Sequence, residues 1–472
     1  MTRAGRLILP ALRWQAATGF SHERDTIDRA LDLGAGGFIL FGGTADTVRA
    51  LTAELRAKAG RPLLFAADLE RGAGQQFTGL TEVPPPAALA SLGDPGAIAW
   101  AATTTAVEAR AIGVQWVLAP VADVDVEPRN PIVQTRAFGS DPARVAADVA
   151  RWIDASARAG ALTCAKHWPG HGRTTGDSHD GVPVVSASEL EIQHDLAPFR
   201  AAVDARVSAV MTSHVAFPAL DPTGTPATFS APILTKLRRG LGFTGPIVTD
   251  ALMMGGATSA GAGDPAVRAL AAGCDILLYP ADPTASYRAI IEAVERGELS
   301  AGRIEQAVAR YDRLLASVRS AESVPVPEPA AGEEALQIAV RTLVPARGDV
   351  AARPAAPWEL VVIDDDLGGR WPAGPTGWTE TELRALGAPL APGGARVVLA
   401  FAEPRASKGR AGFGPESLDR LAHVAPTASL VILFGHPRLA AEIPGNVPVL
   451  VAWHRQRLMQ EAVARWLAAG ST

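Results

Sequence analysis

The sequence predicts an α/β fold in which a barrel of alternating strands and helices precedes a smaller α/β domain. Two observations predict the barrel. Eight short apolar runs recur over the first 319 residues, and Ala-, Arg- and Glu-rich segments with helical spacing separate most of them. The runs lack the period-two alternation of half-exposed strands, which indicates strands buried on both faces of a parallel sheet. Eight such units favour a (β/α)8 barrel, and a doubly wound open sheet is the alternative.

The eight predicted strands are short and spread along residues 1–319. They comprise residues 7–9, 37–41, 63–67, 114–119, 162–165, 209–212, 246–249 and 274–279. Helical segments such as 141–159 and 189–205 lie between them. In a barrel of this kind every strand ends at the same face, where the loops that follow the strands converge.

The character of the sequence changes after residue 319. Residues 320–332 are Pro-rich, which predicts a stiff linker. Residues 333–472 then predict a small α/β domain. Its helices are expected at 333–342 and 456–469, and its strands at 360–363, 396–401, 430–434 and 447–453. We find no dense polar cluster in this region and therefore expect it to lie outside the functional site.

The composition excludes several classes of protein. Apolar residues make up 48% of the 472 positions and charged residues 20%, which allows two or three packed domains. The net charge of −5 is spread without blocks of one sign, which argues against a nucleic-acid partner. The apolar stretch near the N-terminus is too short for a signal peptide, and no window holds the roughly 18 apolar residues of a membrane span.

Cysteine usage bears on the compartment. Cys164 and Cys274 are the two cysteines of the chain, and both lie in apolar runs. Buried free thiols are typical of a reducing environment. We therefore expect a cytoplasmic protein without membrane or nucleic-acid partners, and the sequence does not predict its oligomeric state.

Polar side chains follow five consecutive predicted strands. They are Asp68 after the third, Asp123 and Asp125 after the fourth, Lys166 and His167 after the fifth, His214 after the sixth and Asp250 after the seventh. Because the carboxyl ends of barrel strands meet at one face, we expect these groups to form a catalytic site. The alternative is that such residues only end their strands and cap the next helix, as aspartate often does. Asp123 and Asp125 fit that alternative as well.

The stretch from 164 to 182 is the most informative part of the chain. The fifth strand ends in Lys166 and His167, and a turn and loop then bring Asp177 and His179 two residues apart. A carboxylate beside an imidazole holds one tautomer and tunes the ring for proton transfer near neutral pH. The pair therefore predicts a general acid/base.

Three histidines within thirteen residues raise the alternative of a zinc site. The spacing of His167, His171 and His179 matches neither a helical His-Glu-x-x-His motif nor a His-x-His pair on a strand. We therefore predict no metal and no cofactor, and expect His171 to be structural.

These segments together resemble the signature of the family 3 glycoside hydrolases, and more closely that of their β-N-acetylglucosaminidase branch. The resemblance begins with Lys-His-Trp-Pro-Gly-His-Gly at 166–172 and Asp-Ser-His at 177–179. Other segments agree in order and spacing, namely Asp-Leu-Glu-Arg-Gly at 68–72, Arg-Ala-Phe-Gly at 136–139, Met-Thr-Ser-His at 211–214, Pro-Ala-Thr-Phe-Ser at 226–230 and Val-Thr-Asp at 248–250. Residues 333–472 resemble a reduced version of the family's second domain.

The resemblance implies a retaining double displacement. Asp250 would attack the anomeric carbon to form a covalent glycosyl-enzyme, which water then hydrolyses. His179 would serve as the acid/base, oriented by Asp177. The substrate-binding residues that it implies are Asp68, Gln76, Arg136, Lys166, His167 and His214. For His214, a buried supporting role is the alternative to substrate contact.

Two positions depart from the branch. Gln76 stands where an arginine is usual, and Ala251 stands where a second aspartate follows the nucleophile. Glutamine still donates hydrogen bonds but lacks the charge and the fork of a guanidinium. The glycines after the nucleophile, Gly255, Gly256, Gly261 and Gly263, are expected to give that loop room to move.

We expect an exo-acting β-N-acetylglucosaminidase that removes terminal N-acetyl-β-glucosaminides from cell-wall fragments or chitooligosaccharides. A β-glucosidase and a glycoside phosphorylase of the same family are the enzymatic alternatives. A histidine acid/base favours an anionic acceptor such as phosphate, because it adds no negative charge. A sugar-binding sensor without turnover is the alternative outside enzymes.

Overall fold

The computed structural model describes residues 3–318, 330–351, 353–366 and 373–469. Its contacts divide the chain into two compact units. Unit 1 comprises Met1–Thr81, Ile98–Val124 and Ser140–Pro327. Unit 2 comprises Glu82–Ala97, Asp125–Gly139 and Glu328–Thr472. Residues 320–329 of the predicted linker lie outside the described residues, and the predicted boundaries at 319 and 333 stay predictions.

Strands and helices alternate along most of the chain. The strands are β1 Ile8–Leu9, β2 Ala11–Arg13, β3 Gly37–Phe41, β4 Leu64–Ala67, β5 Trp116–Val117, β6 Leu162–Trp168, β7 Ala209–Thr212, β8 Ile247–Val248, β9 Leu277–Leu278, β10 Val344–Arg347, β11 Trp358–Asp364, β12 Ala395–Ala402, β13 Leu430–Gly435 and β14 Val449–Val451. The helices are α1 Arg24–Asp32, α2 Ala45–Ala59, α3 Pro86–Ser91, α4 Pro95–Ala111, α5 Pro142–Arg158, α6 Glu189–Asp195, α7 Ala197–Asp204, α8 Ala231–Thr235, α9 Gly255–Thr258, α10 Pro265–Ala272, α11 Pro283–Glu295, α12 Ala301–Ala316, α13 Ala330–Arg341, α14 Trp378–Ala385, α15 Pro415–Val424 and α16 Arg457–Ala468.

Unit 1 is built around a parallel sheet whose strands pair in chain order. β2 to β8 form one seven-stranded sheet, and β9 pairs in parallel with β1. A parallel bridge between Val248 and Ile276 connects the end of β8 with the residue before β9. The α/β fold predicted from the sequence is confirmed, and this curled parallel sheet fits a TIM-like domain. Seven of the eight predicted runs enclose an observed strand. The fifth run, 162–165, is only the start of β6, which continues to Trp168 and includes Lys166 and His167, and β2 was not predicted.

Burial explains why the strands of unit 1 show no alternation. All residues of β4 and of the seven-residue β6 are buried, so both faces of these strands select apolar side chains or paired polar ones.

Several of the helices begin at Asp-Pro pairs. Asp141, Asp264 and Asp282 each accept hydrogen bonds from backbone amides of the first turn, and the proline that follows occupies the first helical position.

Unit 2 contains a five-stranded sheet in the order β10-β14-β13-β12-β11. β10 runs antiparallel to β14, whereas the other pairs are parallel. Its core includes Phe401 and Phe434, whose rings stack with centroids 4.3 Å apart. The sequence did not predict β10, because this edge strand, Val-Pro-Ala-Arg, contains a proline and no fully buried residue. None of the helices in the described part of the chain has the length and apolar character of a membrane span.

Charged residues form a dense cluster in unit 2, after β11 and β12. Lys408 Nζ lies 2.8 Å from Asp366 Oδ1, and Arg410 Nη2 lies 2.6 Å from Asp365 Oδ2. The Gly414 amide donates to the same Asp365 at 2.7 Å. The expectation that residues 333–472 contain no dense polar cluster is therefore wrong. These carboxylates, which follow β11, hold the loop after β12 in place.

Candidate active site

Strand β6 places Lys166 between two carboxylates. Its Nζ lies 2.7 Å from Oδ1 of Asp68 and 2.7 Å from Oε1 of Glu70, both in the loop that follows β4. The Lys166 side chain is 2% exposed and that of Glu70 3%, whereas Asp68 keeps 31% of its side chain exposed. The buried ammonium thus fixes one carboxylate in the interior and one that reaches solvent. Such a buried cation is tolerated because it is paired.

His167 is held by Asp123 in the interior of unit 1. Asp123 Oδ2 lies 2.7 Å from His167 Nδ1, and its Oδ1 accepts the backbone amides of His167 at 3.1 Å and His171 at 2.7 Å. Burial alone would raise the pKa of Asp123, but the charge and hydrogen bond of His167 outweigh it and hold that pKa below its usual value. Asp123 therefore orients His167 and does not merely cap a loop.

Asp177 and His179 form a bonded pair within one turn. Asp177 Oδ1 lies 2.6 Å from His179 Nδ1 and accepts the His179 backbone amide at 2.9 Å. The Asp177 side chain is 1% exposed, and the imidazole is 33% exposed. A buried carboxylate on Nδ1 fixes the tautomer and the ring plane while the ring itself reaches solvent.

His171 is a structural residue of the same loop, as the sequence predicted. Its Nε2 lies 3.0 Å from Ser178 Oγ and its Nδ1 lies 2.8 Å from Thr174 Oγ1. Burial lowers the pKa of His171 to about 4, so the ring is neutral at pH 7. Among the described residues no group of three or more His, Cys, Asp or Glu side chains is arranged to hold a metal ion.

Asp250 follows β8 and is kept anionic by histidines. Its Oδ1 accepts the Ala251 amide at 2.7 Å. Burial alone would raise the pKa of Asp250, but the opposing effects, of which the charge of His167 is the largest and the hydrogen bond from the Ala251 amide is another, outweigh it, and that pKa is lowered. A carboxylate that stays ionised and is partly exposed is suited to nucleophilic attack.

The segment after Asp250 packs tightly on the loop that carries His179. The amides of Gly255 and Gly256 donate to the carbonyls of His179 at 3.0 Å and Ser178 at 2.9 Å. A Cβ on Gly256 would lie 2.8 Å from the Gly181 carbonyl oxygen, closer than real Cβ contacts allow. The expectation that Gly255 and Gly256 give the loop freedom is therefore wrong, because they are needed for this close approach.

His214 supports the nucleophile segment from the interior. It is fully buried, its Nε2 donates to the Ala251 carbonyl at 3.2 Å, and its Nδ1 lies 2.8 Å from Thr228 Oγ1. Burial lowers the pKa of His214, so the neutral ring donates from Nε2 and accepts at Nδ1. Both ring nitrogens are used within the protein, which favours the supporting role over substrate contact.

Gln76 and Arg136 lie in different surroundings. Gln76 Oε1 accepts the Gly42 amide at 3.2 Å, which ties it to the loop after β3. Arg136 belongs to a segment of unit 2, and its Nη1 donates to the Ile132 carbonyl at 3.1 Å. The substrate-binding roles of both residues stay predictions.

The sequence analysis missed two interactions of the site. It did not identify Glu70 as a partner of Lys166, and it did not identify Asp123 as the residue that orients His167. Glu70 was visible as the second acid of the Asp-Leu-Glu-Arg-Gly segment, and Asp123 as an acid after the fourth strand. Their pairing with Lys166 and His167 needed the three-dimensional arrangement. Asp125 also does more than cap a loop, because its carboxylate pairs with Arg438 and lies 3.2 Å from His436 Nε2 within unit 2.

Asp250 and the carboxylate-bound His179 follow strands of a parallel α/β sheet, and such groups can supply a nucleophile and a general acid/base. The chain belongs to glycoside hydrolase family 3. The family model described as the glycosyl hydrolase family 3 N terminal domain matches residues 18–314.

Similar proteins carry related names. The chain is 35% identical over 299 residues to a beta-N-acetylglucosaminidase/beta-glucosidase of Cellulomonas fimi, a match that covers 61% of this chain and 53% of that protein. It is 41% identical over 261 residues to a beta-hexosaminidase of Chromobacterium violaceum, covering 52% and 72% of the two chains. The match thus spans about half the length of the first relative.

Several solved structures resemble the chain over its whole length, and one of them carries a family name. It is a glycoside hydrolase family 3 beta-N-acetylglucosaminidase from Paenibacillus sp. str. FPU-7, with a TM-score of 0.83 and 25% identity. The alignment covers 100% of this chain and 96% of that one.

Proposed function

We propose that the protein is a retaining exo-β-N-acetylglucosaminidase that hydrolyses terminal N-acetyl-β-glucosaminides of cell-wall fragments or chitooligosaccharides. The observation that carries this proposal is the 2.6 Å pair of Asp177 and His179. His179 also lies within electrostatic range of Asp250 and helps to lower the pKa of that carboxylate. The names of the similar proteins support the sugar. Family membership supports the covalent mechanism.

In the proposed first step, Asp250 attacks the anomeric carbon while His179 gives a proton to the glycosidic oxygen, and the aglycone leaves as an alcohol. In the second step, His179 takes a proton from water, whose oxygen displaces Asp250 and restores the β-configuration. Asp177 stabilises the protonated ring of His179 that is present before the first step. A cationic ring, unlike a second carboxylate, also stabilises the ionised Asp250.

The remaining residues bind the sugar in this proposal. Asp68, with its partly exposed carboxylate held by Lys166, accepts hydrogen bonds from sugar hydroxyls. His167, oriented by Asp123, contributes a second polar contact. Gln76 and Arg136 complete the set, and the contribution of Arg136 rests on the resemblance of its segment to the family.

Three further parts of the proposal concern architecture and location. Unit 1 is a complete (β/α)8 barrel, which the pairing of β1 with β9 and the bridge from β8 support. Residues 333–472 form a smaller α/β domain, which the five-stranded sheet supports. The protein resides in the cytoplasm, which the two buried free cysteines support.

The first test compares kcat/KM for an aryl N-acetyl-β-glucosaminide with that for the matching aryl β-glucoside, with and without inorganic phosphate. A strong preference for the N-acetyl sugar that does not depend on phosphate is expected. Preference for the plain glucoside would indicate a β-glucosidase, as the name of the Cellulomonas fimi relative also allows. A sugar 1-phosphate product would indicate a phosphorylase, and no turnover of any aryl glycoside would favour a binding protein.

The second test identifies the nucleophile. Asp250→Ala should abolish hydrolysis of the aryl glycoside. Added azide should then attack the anomeric carbon from the vacated face and yield the α-glycosyl azide, while the aryl alcohol leaves. Asp180→Ala, at an exposed position of the His179 loop, is the matched control and should keep its activity and give no azide product. A β-azide or no rescue would contradict the role of Asp250.

A further inference from the structure

A cavity of about 370 Å³ lies within unit 1, at the edge of the parallel sheet where its strands begin. Its lining includes the residues that open or directly precede three strands, namely Leu162 of β6, Ser208 before β7 and Pro246 before β8. Lys166 and His167 of the proposed catalytic site stand four and five residues after Leu162 on β6, roughly 13–16 Å away at about 3.3 Å per residue. The cavity is therefore separate from that site, and its volume suits a small molecule.

Three arginines line this cavity, which we call the arginine cavity. Arg206 lies in the turn before β7, and Arg310 and Arg313 belong to α12. None of the described residues that line the cavity carries a carboxylate. Arg206 and Arg313 are exposed, and neither forms an ion pair or a side-chain hydrogen bond with another residue in the described part of the chain. Two guanidiniums are thus available to a negatively charged ligand.

Arg310 has one carboxylate partner, which it shares with two other arginines. Its Nη1 lies 3.0 Å from Oδ1 of the fully buried Asp275, which also pairs with Arg303 at 3.0 Å and with Arg238. The pKa of Arg238 is lowered to about 10, first by burial and in part by the charges of Arg310 and Arg303, although the shared carboxylate opposes them. One carboxylate therefore does not neutralise three guanidiniums, and positive charge remains beside the arginine cavity.

The ends of the neighbouring helices do not account for the two exposed arginines. An arginine can bind the last carbonyls of a helix, where about half a negative charge resides. At the end of α5, however, the Ala159 carbonyl already accepts from Nη1 of another arginine, Arg110, at 2.6 Å. At the end of α12, the Leu314 carbonyl accepts the Ser317 hydroxyl at 2.7 Å. These helix ends have their own partners, so the two exposed arginines remain for a ligand.

We propose that the arginine cavity binds a small molecule that carries a phosphate monoester. Such an ester has nearly two negative charges and three charged oxygens, whereas a carboxylate has one charge and two oxygens. The ester therefore matches three guanidiniums better, since each guanidinium can give it a charge-assisted pair of hydrogen bonds. Thr244 adds a hydroxyl to the lining, and Ala161, Leu162 and Leu314 add apolar surface for the organic part of the ligand. This site does not depend on the proposed glycosidase activity.

The test begins with titration calorimetry of the full-length chain, with glucose 6-phosphate and inorganic phosphate as the probes. Both should bind, and the sugar ester should have the lower Kd, because inorganic phosphate leaves the apolar surface uncovered. An excess of glucose should not displace the ester, since the phosphate supplies the recognised charge. Equal Kd values for the two probes, displacement by glucose, or no binding of either probe would overturn the proposal.

Variants of the two exposed arginines connect binding to the cavity. Arg206→Gln and Arg313→Gln should each raise the Kd of glucose 6-phosphate roughly tenfold or more, as expected when a hydrogen bond between charged groups is lost. Replacing either arginine by lysine, which keeps the charge and loses the fork, should give an intermediate Kd. Arg144→Gln removes an exposed arginine from the first turn of α5, at the other end of that helix, and is the matched control. An unchanged Kd in both glutamine variants would place the anion elsewhere and overturn the proposal.

Hydrogen exchange locates the bound ester. Deuterium uptake should fall in peptides that contain Arg206 and in those from 310–317, and it should not change in peptides that contain His179 or Asp250. Protection confined to the peptides of His179 and Asp250 would mean that the ester binds at the proposed catalytic site, against the proposal. Because binding and exchange are measured without turnover, a failure of the proposed function would leave this test intact.

Discussion

The backbone amide of Gly256 donates to the carbonyl of Ser178 over 2.9 Å. This bond joins the segment that follows the proposed nucleophile to the loop that carries the proposed acid/base. Only a residue without a side chain allows it, since a Cβ would also lie 2.8 Å from Cβ of His214 and 2.9 Å from the Ser178 oxygen itself. The segments that carry the two proposed catalytic groups are thus joined by this bond and by the neighbouring bond from the Gly255 amide to the His179 carbonyl.

Gly256→Ala should therefore displace the two loops from each other. A shift of about 1 Å between reacting groups is enough to lower kcat roughly 100-fold. The measurement is kcat for an aryl N-acetyl-β-glucosaminide. Gly181→Ala lies in the same loop with open space around its Cβ, and it should stay within about twofold of the wild type. Equal effects of the two changes would contradict this role of Gly256.

Asp177→Asn should impair proton donation more than nucleophilic attack. The amide can still accept the His179 backbone N–H, but it no longer stabilises a charged ring through Nδ1. kcat/KM should fall about 100-fold or more for aryl glycosides with poor leaving groups. The loss should be much smaller for dinitrophenyl glycosides, whose leaving group needs no proton. A loss that does not depend on the leaving group would show that Asp177 has another role.

Stability should fall as the pH is lowered from 6.5 towards 4. His171 in the folded protein takes up a proton only near its pKa of about 4, and so does His436 in unit 2, because both are buried. The unfolded chain takes up these protons near pH 6.5, so between the two values the unfolded state holds more protons and gains relative stability.

This pH dependence is measured by urea unfolding between pH 7 and pH 4. Replacing either ring, as in His171→Gln or His436→Gln, should reduce the slope of the unfolding free energy by up to about 1.4 kcal/mol per pH unit. The double variant should show the sum of the two reductions. Curves parallel to the wild type would mean that these rings are charged in the folded state.

Lys166→Met should strongly destabilise unit 1. It removes the ammonium that lies 2.7 Å from the buried carboxylate of Glu70, and breaking a buried pair in this way costs about 3–5 kcal/mol. Adding Glu70→Gln should recover part of this loss, because the amide needs no counter-charge. The free energy of unfolding in urea measures both. Lys58→Met removes an exposed pair with Asp28 and should cost less than about 1 kcal/mol. Equal losses in the two lysine variants would contradict the burial argument.

The strands of unit 1 could be predicted because burial on both faces leaves a plain apolar signal. The observed β3 and β7 have the predicted limits, and Lys166, His167 and Asp250 stand at strand ends as expected. Short-range pattern also indicated the pair of Asp177 and His179, which are two residues apart.

The partners of these groups could not be predicted, because they are distant in sequence. Glu70 and Lys166 are separated by almost a hundred positions, and Asp123 and His167 by 44. Asp365 and Asp366 were visible as neighbours, but Lys408 lies 42 positions further on. Local spacing does not indicate that Asp123 pairs with a residue of unit 1 and Asp125 with a residue of unit 2, because both aspartates simply follow the same strand.

The discontinuity of unit 2 has a consequence for synthesis. Its segments Glu82–Ala97 and Asp125–Gly139 leave the ribosome early, whereas the sheet that completes the unit begins at Val344. About 200 residues separate Gly139 from that strand, and at roughly 5–20 residues per second their translation takes on the order of ten seconds or more. During that interval Ala406 has not yet been synthesised, so Ile132 and Val133 cannot form their apolar contact with it. The order in which the chain is made therefore leaves the Arg136 segment among the last parts of the protein to reach its native contacts.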